Sequence, residues 1–130
     1  MAQRAILRPP VELFTRYWLP VLGYLGLVQL LGSRPDFQVP PWFPNVDKAI
    51  HVLEYLVLGF LLARAIRASS RNPVPVRTAS VAVAMGLCVG VADEFVQSFV
   101  PGRMSSVNDV MADAAGLLIA QILFLLVVRE

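Results

Sequence analysis

TASVAVAMGLCVGVADEFVQSFVPGR, residues 78–103, decides how the chain is read. From Thr78 to Val100 the only charged residues are Asp93 and Glu94, and Pro101-Gly102 closes the run. A helix crosses about 30 Å of hydrocarbon with roughly 20 residues, so this stretch predicts a transmembrane helix. The two adjacent acids then need a reason, because a charged side chain at the bilayer centre costs at least about 2.5–3.5 kcal/mol.

The remainder of the chain is equally oily. Of its 130 residues 57% are hydrophobic and 15% charged, whereas ordinary soluble domains run at about 45–50% and about 25%. Three more apolar stretches stand out. Tyr17 to Gly32 carries no charge, Val46 to Ile66 contains Asp47, Lys48, His51, Glu54 and Arg64, and Val107 to Val128 contains Asp109 and Asp113. The connections RPDFQVPPWFP (34–44), RNPVPVR (71–77) and PGRMSS (101–106) are rich in residues that interrupt helices. The expected fold is therefore all-α: a polytopic membrane protein forming a bundle of four transmembrane helices at about 13–32, 46–66, 78–100 and 107–128, in one domain covering 1–130. Pro20 falls early in the first span, where proline is tolerated. A cleaved signal peptide over residues 1–33 is the rival reading, but the apolar run is long and no A-x-A site follows it.

Counting basic residues orients the bundle. Arg4, Arg8, Arg16, Arg64, Arg67, Arg71, Arg77 and Arg129 fall on one side, and Arg34, Lys48 and Arg103 on the other. Both termini are expected in the cytoplasm, with the 34–47 and 101–106 connections facing outward. The net charge of +2 and the placement of arginines at segment ends argue against nucleic acid as a partner. Arg64 and Arg67 read as boundary residues that snorkel. Cys88, the single cysteine, allows no internal disulfide and is expected to be a small packing group.

The intramembrane acids fall into stripes. On the second segment Asp47, His51, Glu54 and Leu58 recur at offsets of 4, 7 and 11, bordered by Tyr55. The third places Gly86, Gly90, Glu94 and Gln97 on one face, and the fourth Asp109, Asp113, Gly116 and Ala120. Each stripe has a polar outer end and a small-residue inner end, and small residues let helices approach closely. The three polar ends are expected to converge in one outward-opening pocket. Adjacent helical residues point about 100° apart, so Glu94 is expected inward and Asp93 toward a neighbouring helix or the connection carrying Arg103. Asp47 is also a candidate N-cap.

Charge balance poses the next question. Around the pocket stand Asp47, Glu54, Asp93, Glu94, Asp109 and Asp113, against the fixed cations Lys48 and Arg103. Three ways of cancelling the excess stay open: protonated acids, a divalent cation on carboxylate oxygens, or a protonated His51.

Three strings, Asp47-Lys48-x-x-His51-x-x-x-Tyr55, Asp93-Glu94-x-x-Gln97-x-x-x-Pro101-Gly102-Arg103 and Asp109-x-x-x-Asp113-x-x-Gly116, together resemble the VanZ-like family of small bacterial membrane proteins. The resemblance runs from about residue 46 to 120, and the D-E-x-x-Q…P-G-R…D segment is its specific part. It implies a bacterial cytoplasmic (inner) membrane location and site residues Asp47, Lys48, His51, Tyr55, Asp93, Glu94, Gln97, Arg103, Asp109 and Gly116. The family is named for a member linked to low-level resistance to the glycopeptide teicoplanin. Relatives commonly have asparagine where this chain has Asp113, and often glycine near Ala120, so this pocket carries one more acid than the family pattern.

The leading expectation is a pocket that engages an envelope component, a lipid-linked or glycopeptide-type ligand. Asp47, Lys48, Tyr55, Asp93, Gln97, Arg103, Asp109 and Asp113 are its ligand-binding candidates. His51 and Glu94 are the candidates for acid–base chemistry, since burial among like charges moves a carboxyl group toward working pH. Arg103 and Lys48 suit an anionic group such as phosphate. The expected partners are membrane lipid and this envelope ligand. The second expectation is a non-catalytic subunit of a larger membrane complex, in which the polar cluster only orders the helices. Transport ranks third, because four helices without an evident repeat make a poor alternating-access machine.

Overall fold

The computed structural model describes residues 8–34 and 40–128. Among these residues every regular element is helical. A helical run opens with α1 (Pro10–Leu13), passes through a π turn (Phe14–Trp18) and continues as α2 (Leu19–Gly32). Proline 20 explains the π turn. It has no N–H to give to the carbonyl four residues back and its ring crowds that carbonyl, so the preceding turn widens, with Leu19 N bonding to Phe14 O.

The long helices are α3 (Val46–Ser69), α4 (Pro75–Gln97) and α5 (Val107–Val127). All three are long and apolar enough to cross a membrane, which makes the chain a helical membrane protein. Local chemistry sets their ends. Asn45 takes the left-handed conformation (φ 60°) ahead of α3. No side chain caps that end, and Asp47 sits inside the first turn instead of at the cap expected for it. Pro75 starts α4 from within the 71–77 connection, where proline's missing N–H would be unsatisfied in any case. Ser106 caps α5, its Oγ accepting from Asn108 N at 3.1 Å.

Small residues then decide how the helices pack. α5 lies most extensively on α3 and next on α4. A methyl on Gly59 would come within 2.9 Å of Ala120 Cβ, and one on Gly86 would run into the Leu117 side chain. Tyr55, Leu58, Leu62, Ala82, Leu117 and Phe124 fill the buried core. Polar ties add to this packing: Gln121 Nε2 of α5 donates to Gly59 O of α3 at 3.0 Å, and Tyr24 Oη of α2 donates to Glu54 O of α3 at 3.0 Å. Leu53, Val57, Val91, Phe95, Leu118 and Ile122 point outward, as lipid contact requires. Cys88 joins them: it is exposed and is not the packing group expected. Position 88 lies on the face of α4 turned from α5, while the glycines at 86 and 90 face the core.

The arginine-rich end of the helices encloses a cavity of about 520 Å3, bordered by Arg8, Arg64, Arg67 and Arg71. The guanidinium carbons of Arg8 and Arg64 lie 5.1 and 5.0 Å from the centre of the Tyr17 ring, so Arg64 is stacked on an aromatic face as well as near the boundary. At about 1.5 Å per residue, Arg67 is some 30 Å along α3 from Asp47. Glu12 pairs with Arg8 at this basic end, while the acids of α3, α4 and α5 lie toward the other.

Candidate functional site

Three helix ends and one turn build the polar site. α3 contributes Asp47, Lys48, His51, Glu54 and Tyr55, α4 contributes Asp93, Glu94 and Gln97, and α5 contributes Asp109 and Asp113. Between α4 and α5 the chain reverses through Gly102, whose φ of +81° is open to glycine and strained for other residues. That reversal returns Arg103 over the end of α4, where its Nη2 donates to Gln97 Oε1 at 3.1 Å.

Two polar chains result. In the first, Arg103 donates to Gln97, Gln97 Nε2 donates to Asp93 Oδ2 at 3.1 Å, and Gln29 Nε2 of α2 donates to Asp93 Oδ1 at 2.6 Å. Asp93 thus turns toward the neighbouring α2. In the second, the Lys48 ammonium bridges Asp47 and Asp109. His51 Nε2 lies 4.0 Å from Asp109 Oδ1, and His51 Nδ1 lies 2.8 Å from Asp113 Oδ1. Asp113 is fully buried. A carboxylate there accepts, so Nδ1 donates to it, and in the neutral imidazole Nε2 is the nitrogen that keeps a lone pair.

Glu94 is anchored differently. The backbone N–H of Ser106 donates to its Oε2 at 2.9 Å, so the residue that caps α5 also fixes this side chain. Glu94 is only 7% exposed. Its Oε1 is buried with no hydrogen-bond partner among the described residues, as are Tyr55 Oη and Asp113 Oδ2. Buried polar groups are nearly always paired, so unpaired ones concentrated in one region call for an explanation. One donor atom each from His51, Glu94 and Asp109 lies within 4.8 Å of the other two.

A cavity of about 420 Å3 opens beside these groups. His51, Glu54, Asp93, Gln97, Arg103 and Asp109 reach its wall, and Asp47 stands at its rim with 61% of its side chain exposed. Lys48, Tyr55, Glu94 and Asp113 are not on the wall; Lys48 and Asp113 stand behind it as partners of Asp109 and His51, and Glu94 is held there by Ser106 N. The structure therefore brings the sequence-derived candidates to one end of the molecule, in two layers. Reading the sequence missed Gln29 and the backbone of Ser106. A lone glutamine in an apolar span was the available sign of the first, while a backbone donor leaves no sign at all.

No curated protein matches the chain, and no solved structure does. A family model matches nearly its whole length, residues 8–128, spanning every element that forms the polar cavity. With those helices, that glycine turn and that paired histidine on one continuous match, the chain belongs to the VanZ/LLP1 family.

Proposed function

We propose that the chain is a four-span inner-membrane protein, with both termini in the cytoplasm, whose outward-facing pocket binds a phosphate-bearing envelope component such as a lipid-linked precursor. The run from Pro10 to Gly32 supports the fourth span, being about 34 Å long at about 1.5 Å per residue. The basic end supports the orientation: Arg8, Arg16, Arg64, Arg67, Arg71 and Arg77 lie opposite the pocket, while Arg4 and Arg129 fall outside the described residues.

The observation that carries the proposal is the meeting of ionisable side chains from α3, α4 and α5 beside one cavity. Charge inside a membrane is costly and tends to be kept where it serves a site. Arg103 is the anion contact, because its forked donors match phosphate oxygens and its partner Gln97 is neutral. His51 Nε2 and the carboxylates beneath it are the groups that meet the ligand's head.

Native mass spectrometry of protein drawn from its own membrane into nanodiscs tests this. A phosphate-bearing lipid-linked species should travel with the wild-type chain and be lost from Arg103→Ala. A folded wild type that carries no such species, or a variant that keeps it, removes the reading.

A scaffold reading rests on a different observation: much of the network is satisfied internally, as in Lys48–Asp109 and Gln29–Asp93. It requires that Glu94→Gln and Arg103→Ala leave the cellular phenotype intact, teicoplanin susceptibility being the one to score, and that a protein partner co-elute stoichiometrically.

A further inference from the structure

We propose that His51 Nε2, Glu94 and Asp109 bind one divalent transition-metal ion of the Mn2+ or Zn2+ class at the base of the pocket. The inference deepens the phosphate-ligand reading above and rests on it for what the ion would meet.

Four independent features lead to it. One donor atom from each residue already lies within 4.8 Å of the other two. Metal–oxygen and metal–nitrogen bonds of about 2.0–2.2 Å put neighbouring donors about 3–3.5 Å apart, so side-chain rotations of about 1–2 Å close the set. Glu94 supplies a donor with nothing else to do: Oε2 is held by Ser106 N, and the buried Oε1 has no partner among the described residues. His51 has the arrangement of a metal ligand, since the Asp113 carboxylate fixes Nδ1 and orients the ring, and such outer carboxylates raise ligand basicity. Finally, six acids surround two fixed cations, and a phosphate would add to the excess. A divalent ion halves that excess and gives the phosphate oxygens a cationic partner besides Arg103.

Donor chemistry selects the class of ion. Calcium takes six to eight oxygens, and magnesium is typically held by one or two carboxylates together with water and phosphate. One imidazole and two carboxylates, with positions left open, suit Zn2+ or Mn2+. Lys48 has a place in the same scheme. Its ammonium now neutralises Asp109 and also reaches Asp47 at 2.6 Å. An arriving ion takes over Asp109, and Lys48 stays with Asp47. Lysine and metal therefore compete for one carboxylate.

The chain has a single histidine, which makes the test unambiguous. Tag-free protein in detergent is stripped with chelator and titrated with Mn2+ or Zn2+ alone. One ion per chain is expected, bound about tenfold or more weakly by Glu94→Gln and Asp109→Asn, and more tightly by Lys48→Met. Pulsed electron paramagnetic resonance of the Mn2+-loaded wild type should show coupling to an imidazole nitrogen, which can belong only to His51. That measurement needs no variant to fold. Folded wild type that takes up no stoichiometric ion overturns the proposal, as does bound Mn2+ without nitrogen coupling or unchanged affinity in both carboxamide variants. The two readings separate cleanly: an Arg103-dependent ligand without an ion removes the ion alone, and an ion without any co-purified ligand removes the ligand reading alone.

Discussion

His51 Nδ1 and Asp113 Oδ1 meet at 2.8 Å between α3 and α5, 62 residues apart in the chain, with the aspartate wholly enclosed. The pair joins the two helices that pack most extensively, so it should contribute to stability as well as to the site. Interhelical polar pairs in membranes are worth about 1–2 kcal/mol at most. A double-mutant cycle with His51→Ala and Asp113→Ala, read by unfolding in bicelles, should return a coupling energy in that range. Asp113→Asn should cost less than Asp113→Ala, because the carboxamide oxygen still accepts from Nδ1. Strict additivity of the two alanine variants would show that the contact is idle.

The second prediction concerns Gly116. A Cβ placed there would overlap the Val52 carbonyl and lie 2.9 Å from Leu56 N, all backbone atoms of α3 that cannot swing aside. Gly116→Ala should therefore push α5 off α3 and destabilise by about 1–3 kcal/mol, the usual cost of overpacking. Gly26 is the control, since a Cβ there meets nothing within 4 Å. Gly26→Ala should be neutral or raise stability by up to about 1 kcal/mol through helix propensity. Equal melting temperatures for the two variants would contradict the packing described.

These two cases show what could be read from sequence. Asp109, Asp113 and Gly116 announce a buried face because charges and glycines are out of place in lipid. Apolar residues announce nothing of the kind: Leu117 is buried and Leu118 is exposed, yet lipid and protein core are equally oily, so hydrophobic periodicity separates them poorly. Cys88 was misread for that reason. Gln29 was passed over because one polar residue has no period, and only the docking of α2 brings it to Asp93. The Ser106–Glu94 bond was out of reach because its donor is backbone.

Gln29 leads to the third prediction. Its amide is the hydrogen bond recorded between α2 and α4, at 2.6 Å, and it satisfies one oxygen of a carboxylate that is only 2% exposed. Gln29→Ala leaves that oxygen unpaired at a cost of about 1–3 kcal/mol. The strain is best relieved by α2 moving away to admit water. Backbone amides of Val28 to Gly32 should then exchange faster with deuterium, while those of α5 stay as they are. Unchanged exchange along α2 would mean that Tyr24 and the apolar contacts hold this helix unaided.

The fourth prediction uses the single cysteine to decide orientation. Cys88 is exposed near the middle of α4, so its outward face meets hydrocarbon. A lipid-soluble maleimide should reach it in intact cells, and a charged, impermeant one should not. With Cys88→Ala as background, Met104 and Asn72 become reporters for the two ends. Met104 is 91% exposed in the turn beside the pocket, and Asn72 lies exposed in the connection between α3 and α4. In intact cells the impermeant reagent should label Met104→Cys and spare Asn72→Cys, which should react only after the inner membrane is opened. The reverse pattern would put the acidic pocket in the cytoplasm, against six described arginines, and would end its assignment to an envelope ligand.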